Sequence, residues 1–385
     1  MPFLNDLFVN LSKWLSSFLA RFLPFWAVEL AMMLLTIFIL VGFALFTIVL
    51  INWVERKVVG RIQDRYGPNR VGPLGVLQAI ADMIKMLTKE DITPAQADRI
   101  TYNLAPIIIL VPTFLILAVI PFGRGMVAAD LNIGFLYIVA VSSLATIAIL
   151  LAGWSSRNKY SLLGGMRAVA QMISYEVPMV LSAIGVIMLA GSLSMVRIVE
   201  GQSQIPFILL QPLAFLLYLI SAVAEVNRSP FDLPEAESEI IAGYHTEYSG
   251  IKYAMFLLAE YVNAFLVCAI ATTLFLGGWQ GPLLPPYIWF FIKAYALYFV
   301  LMWLRFTLPR LRVDQLMGFS WKVLVIIALA NLLLSGLAMS LTQNLGLALR
   351  VGAFLAANAV LFVAFLALEA LFFRQTVKKQ ASLRI

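Results

Sequence analysis

Long apolar runs, each closed by charged or turn-forming residues, dominate this chain. About 20 apolar residues at 1.5 Å rise per residue cross a bilayer core, and nine runs of roughly that length occur. They lie near residues 28–53, 102–122, 133–154, 174–195, 207–226, 252–277, 287–308, 322–342 and 351–373. Two further stretches are apolar on one side only. In residues 3–23, Leu4, Leu7, Phe8, Leu11, Trp14, Leu15, Phe18 and Leu19 recur at three- and four-residue steps; in residues 74–88, Leu74, Leu77, Ile80, Ile84 and Leu87 do the same, with Gln78, Asp82 and Lys85 off the stripe. That spacing predicts helices lying along the membrane surface. The second follows the breakers Gly67-Pro68 and Gly72-Pro73. A signal peptide explains the first stretch less well, because such a segment opens on basic residues and here the first is Lys13. Backbone polar groups in lipid must be satisfied within the spanning element. The pattern therefore predicts an all-α integral membrane protein, a bundle of about nine transmembrane helices plus amphipathic surface helices.

Composition narrows the chemistry. Hydrophobic residues make up 62% of the chain and charged residues 12%, far from the balance of a soluble domain. One cysteine, Cys268, and one histidine, His245, cannot supply the several ligands that a disulfide, a Cys-type iron–sulfur site or a zinc site requires. No metal site is expected, and any redox centre belongs on another chain. The net charge of +7 reads as a membrane-orientation signal and not as nucleic-acid binding, because lysine and arginine collect on the cytoplasmic side. Arg56, Lys57, Arg61, Arg65 and Arg70 follow the first run; Arg157, Lys159 and Arg167 follow the third; Arg305, Arg310, Arg312 and Lys322 join the seventh to the eighth; Arg374, Lys378, Lys379 and Arg384 form the tail. These segments are expected to face the cytoplasm, with the N-terminus outside and the C-terminus inside.

Four charges, Glu176, Glu225, Glu260 and Lys293, fall within or near the ends of apolar runs. Each costs about 2.5–3.5 kcal/mol at mid-bilayer on the lenient insertion scale. Glu29 and Glu369 sit near run ends and are expected to snorkel. Intramembrane carboxylates usually face a polar cavity or relay, so Glu176 and Glu260 are candidates for a proton pathway, with Lys293 as an opposite charge for one of the carboxylates. The loop at 227–250 reverses the pattern of the other charged segments: Asp232, Glu235, Glu237, Glu239 and Glu247 crowd into it with Arg228 as its basic member. Pro234 suits the first position of a helix and would set Glu235 and Glu239 on one face. Composition alone favours a solvated acidic loop, the usual fate of a charge run.

Five stretches carry a family resemblance. Glu55-Arg56-Lys57, RYGPNRVGPLGVLQAIADMIKMLTKED at 65–91, SYEVP at 174–178, AEVNRSPFDLPEAESEIIAGYHTEYSG at 224–250 and RLRVDQLMGFSWK at 310–322 resemble, in order and spacing, the quinone-site membrane subunit of respiratory complex I. That family comprises the H-type subunit of NADH-quinone oxidoreductase in bacteria and NADH dehydrogenase subunit 1 in mitochondria. The likeness runs from about residue 27 to 342. It divides the chain into an N-terminal interfacial helix at 1–26, a core of eight transmembrane helices at 27–342, and an additional ninth helix with a basic tail at 343–385. The last and the first are expected to serve only packing or contact with neighbours.

The resemblance implies that Glu55, Arg56, Arg65, Asp82 and Asp232 belong to a quinone entrance and chamber. It further implies that Glu176, Glu225, Glu235, Glu237, Glu239 and Glu260 form an acidic proton or coupling path. Quinone (ubiquinone, menaquinone or plastoquinone) would be the substrate, with iron–sulfur clusters and any flavin on partner subunits. Those partners would be peripheral quinone-chamber subunits on the cytoplasmic side, small membrane subunits and antiporter-like membrane subunits, in the bacterial plasma membrane. The expected activity is that of a subunit of a proton-translocating NADH:quinone oxidoreductase. The homologous membrane subunit of an energy-converting hydrogenase is the alternative, and a stand-alone ion transporter is a third reading that lacks the repeated halves common in transporters.

Overall fold

The computed structural model describes residues 6–232, 242–342, 346 and 349–363. Among them every regular element is a helix, with one isolated bridge between Gly123 and Met126. An amphipathic helix, α1 (Leu7–Leu19), precedes α2 (Phe25–Ile62), α3 (Gln78–Thr88), α4 (Arg99–Leu117), α5 (Gly134–Ser155) and α6 (Lys159–Ala190). Short helices α7 (Met195–Glu200) and α8 (Phe207–Leu210) lead to α9 (Pro212–Glu225), α10 (Gly250–Phe275) and α11 (Pro286–Thr307). The helix α12 (Val313–Phe319) continues through a π turn at Ser320–Leu324 into α13 (Val325–Thr342), and α14 (Leu349–Val363) follows. Seven of these segments are long and apolar enough to cross a membrane: α2, α4, α5, α6, α10, α11 and the joined α12–α13.

The remaining two expected spans differ from simple rods. The run at 207–226 is broken at Gln211, whose φ of −132° and ψ of 62° interrupt the helix before Pro212 opens α9. The break frees the Leu210 carbonyl, and Asn358 of α14 donates to it at 3.1 Å. Phe354 on the same helix is fully buried. The ninth helix thus packs onto the broken fifth span as far as it is described.

Length decides where charged ends sit. At 38 residues and 1.5 Å each, α2 runs roughly 57 Å, well past the roughly 30 Å hydrocarbon core. Its last turns carry Glu55, Arg56 and Lys57 to one end of the bundle. There the loop after α2 folds back so tightly that a Cβ on Gly67 would lie 2.8 Å from the Arg56 carbonyl oxygen, and one on Gly60 2.8 Å from the Gly67 nitrogen. The helix α3 leaves Leu77, Ile80, Ile84 and Leu87 exposed, the apolar stripe expected of a surface helix. Trp53 donates to the Leu74 carbonyl at 3.1 Å and holds that segment against α2. The α1 stripe is likewise exposed at Phe8, Leu11, Trp14 and Phe18.

Candidate functional site

Polar contacts at the charged end build the site outward from Glu55, which is 5% exposed. Its Oε1 accepts from Arg228 at 3.1 Å and from Arg305, and its Oε2 accepts from the Tyr298 hydroxyl at 3.1 Å. Arg228, 6% exposed, also pairs through Nε with Glu260 at 2.9 Å and lies 4.6 Å from the Tyr261 ring centroid. Burial opposes the Arg228 charge, but Glu260 and Glu55 more than offset that and raise its pKa. Four elements therefore meet at the Glu55–Arg228 pair: α2, the turn after α9, α10 through Glu260 and, through Arg305 and Tyr298, α11. Gln171 of α6 fixes that turn, its Nε2 donating to the carbonyls of Ala224 at 2.7 Å and Phe231 at 2.6 Å.

Outside this cluster lies an open cleft of about 510 Å³, lined by Glu55, Arg56, Val59, Arg65, Tyr66, Gly67, Pro68 and Tyr261. Its size suits a small organic molecule, and its mix of aromatic, apolar and cationic lining suits one with an apolar body and a polar head. Arg56 is ion-paired with Asp82 of α3 at 2.6 Å, while Asp82 Oδ1 accepts from Gln78 at 3.1 Å. Asp232 pairs with Arg310 at 2.9 Å. Glu55, Arg56 and Arg65 thus line one cleft, Asp82 fixes its rim, and Asp232 braces the segment beyond Arg228.

Inward of the cluster the lining turns acidic. A cavity of about 40 Å³ is bordered by Glu260, Glu225, Asn227, His245 and Asn263. A second, of about 50 Å³, shares Glu225, Val226, Asn263, Met172 and Ala145 with it and continues to Ser142, Met179 and Tyr218. A water needs roughly 10–15 Å³ of such space, so the two have room for about three and about four. Glu225 stands at their junction with Oε2 buried and without a hydrogen-bond partner among the described residues. On α6, Met172 and Met179 line the second cavity; Glu176, four residues after one and three before the other, shares their face. The π turn packs here: Ser320 donates to the Ser174 carbonyl, Trp321 Nε1 to Ser174 Oγ at 3.1 Å, and Tyr175 to the Leu316 carbonyl at 2.9 Å. These contacts fix the turn of α6 that carries Glu176.

A family model described as NADH dehydrogenase matches residues 34–336. The chain belongs to the NADH dehydrogenase family. Proteins named as the H-type subunit of NADH-quinone oxidoreductase resemble this family member over most of their length. The one from Dehalococcoides mccartyi is 55% identical over 320 residues, 83% of this chain and 90% of its own. That from Geobacillus kaustophilus is 56% identical over 286 residues, 73% of this chain and 86% of its own. That from Geobacillus thermodenitrificans is 50% identical over 339 residues, 86% of this chain and 99% of its own.

In this NADH dehydrogenase family chain one expectation fails. Lys293 does not reach a carboxylate among the described residues. Its Nζ donates to the carbonyls of Leu276 at 2.7 Å, Gly278 at 3.1 Å and Gln280 at 2.6 Å. These are carbonyls at and just past the end of α10, where a cation is favoured, so the charge is spent on capping a helix. Glu235, Glu237, Glu239 and Glu369 lie outside the described residues, as does Pro234. Glu29 is exposed near the start of α2. Residues that sequence reasoning passed over include Arg228, Arg305, Tyr298 and Tyr261, which complete the Glu55 cluster, and His245 and Asn263, which line the inner cavity. A lone arginine inside an acidic loop was the available signal for Arg228. Tyr261 and Tyr298, inside apolar runs and outside the motif stretches, gave none.

Proposed function

We propose that the chain forms, together with peripheral subunits, the quinone chamber of a proton-translocating NADH:quinone oxidoreductase, and begins the coupling path that leads from it. The observation that carries this reading is a shared wall: Arg228 touches Glu55 of the open cleft on one side and Glu260 of the acidic cavity on the other. Quinone enters past the α3 stripe, its head meeting the Arg56, Arg65 and Tyr261 side of the cleft. Electrons arrive from iron–sulfur clusters on partner subunits, since this chain has one cysteine and one histidine. Reducing the head to quinol consumes two electrons and two protons, and the intermediate gain of negative charge beside Glu55 and Arg228 alters the pull of Arg228 on Glu260. Glu260, Glu225 and Glu176, extended by Glu235, Glu237 and Glu239, carry that change toward antiporter-like and small membrane subunits. The arginine-rich end then faces the cytoplasm of a bacterial plasma membrane, with the N-terminus outside and the C-terminus inside. Names of the relatives favour this reading over the hydrogenase alternative.

Photoreactive quinone added to the intact complex tests the chamber. Adducts are expected on residues 55–68 and Tyr261, and excess unlabelled quinone should suppress them. Labelling of this chain only at lipid-facing positions would refute it.

A further inference from the structure

The cleft and the acidic cavity meet at Arg228, yet little can pass there. The space among Glu55, Arg228, Tyr298 and Arg305 is about 10 Å³, at or below what one water needs. A guanidinium does not give up its proton in a protein. Charge on one side is felt on the other, but a chain of waters cannot run through.

The cavity has another wall. His245 borders it with Nδ1 buried and without a hydrogen-bond partner among the described residues, while the residue as a whole keeps partial exposure. Its position is set by close packing. A Cβ on Gly164 of α6 would lie 2.6 Å from the Gly243 Cα, so the turn Gly243–His245 presses directly onto that helix. Ser161 Oγ donates to the Tyr244 carbonyl at 2.9 Å, and Thr246 Oγ1 to the Gly243 carbonyl at 2.7 Å. Among the described residues, the titratable groups around the imidazole are Tyr244 on its own turn, Tyr253 and Glu260 on α10, and Glu225 at the end of α9. The other elements present apolar side chains to the cavity: Ile109 from α4, Ala145 and Ile149 from α5, Met172 from α6.

We infer that His245 is the proton port of the Glu225–Glu260 cavity: protons enter from the charged end through its imidazole, while the quinone cleft communicates with that cavity through the charge of Arg228. This rests on the relay reading proposed above. One ring nitrogen accepts a proton from water at the surface as the other releases its own to cavity water or a carboxylate. A tautomer change then resets the ring, which ends with the protons it began with. Burial lowers the imidazole pKa to about 4, so the ring passes a proton without storing it.

The intact complex in proteoliposomes tests this with His245→Gln, His245→Ala and, as reference for the relay itself, Glu176→Gln. His245→Gln should slow proton translocation driven by quinone reduction about tenfold or more, as loss of a positioned proton carrier does. The KM for quinone and electron entry to an artificial acceptor should be unchanged. Added imidazole should restore His245→Ala; pyrazole, of the same shape but far less basic, should not. Wild-type translocation by His245→Gln while Glu176→Gln is impaired would overturn the port and leave the relay standing. Wild-type translocation by both would overturn the relay and the port together. Slow translocation with a raised quinone KM and no imidazole rescue would mean a structural role and would also overturn the port.

Discussion

Replacing Arg228 with glutamine removes the group on which cleft and cavity converge. In the native cluster Glu55 and Glu260 face Arg228 and Arg305, two charges of each sign. The Arg228 contacts at 3.1 and 2.9 Å each correspond to about 5 kcal/mol of Coulomb attraction at an effective dielectric near 20. Most of that offsets the desolvation of a side chain only 6% exposed. What is lost on removing one partner of such a buried pair is about 3–5 kcal/mol, because two carboxylates then remain beside a single guanidinium. Arg228→Gln should therefore lower the thermal dissociation midpoint of the purified complex, read by the loss of quinone reductase activity after heating. The double variant Arg228→Gln/Glu260→Gln restores the balance of charge and should recover part of the loss, with a coupling of about 0.5–3 kcal/mol expected for groups in contact. Arg228→Lys should be an incomplete substitute, since a point charge cannot match the fork that bridges two carboxylates. A single variant as stable as wild type, or a double variant whose loss equals the sum of the two single losses, would refute the cluster as an energetic unit.

Three further outcomes follow from local geometry. Gly164→Ala places a Cβ 2.6 Å from the Gly243 Cα, where backbone must move; a loss of about 1–3 kcal/mol and faster proteolysis after the Gly243–His245 turn are expected. Lys293→Met leaves the carbonyls past α10 without their cation and should cost about 1–3 kcal/mol in the same heating assay, while the KM for quinone stays at the wild-type value. For His245 the folded pKa, about 4, lies below the ordinary value of 6.5, so the unfolded state binds the proton more tightly. Its contribution to stability is complete above about pH 6.5 and is lost as pH falls toward 4. The acid-side fall in the dissociation midpoint should be shallower in His245→Gln.

Much of this architecture was legible because its causes are local. Continuous apolar runs marked α2, α4, α5, α10 and α11, and charges inside such runs marked Glu176, Glu225 and Glu260, each of which borders or faces the inner cavities. What escaped depends on three dimensions. Glu55 is placed at the quinone chamber by the resemblance alone, and nothing in the sequence shows that Arg228, Tyr298 and Arg305, from 173, 243 and 250 positions away, close over it. Lys293 reads as an ion-pair partner because sequence cannot reveal that the carbonyls past α10 turn toward α11. The broken fifth span reads as one apolar run; only the backbone at Gln211 separates its halves, and only the packed α14 supplies Asn358 to the freed carbonyl. His245 carries no signal alone, since a single histidine beside tyrosines is most often a packed core residue.

The coupling claim is tested most directly by the number of protons translocated per electron in the complex carrying Glu225→Gln, measured in proteoliposomes with quinone as acceptor. Glu225 stands where the two inner cavities meet, with one oxygen buried and unpaired among the described residues. Translocation coupled to quinone reduction should collapse while electron entry to an artificial acceptor persists. A wild-type proton yield at an undiminished quinone reduction rate would contradict the path drawn here.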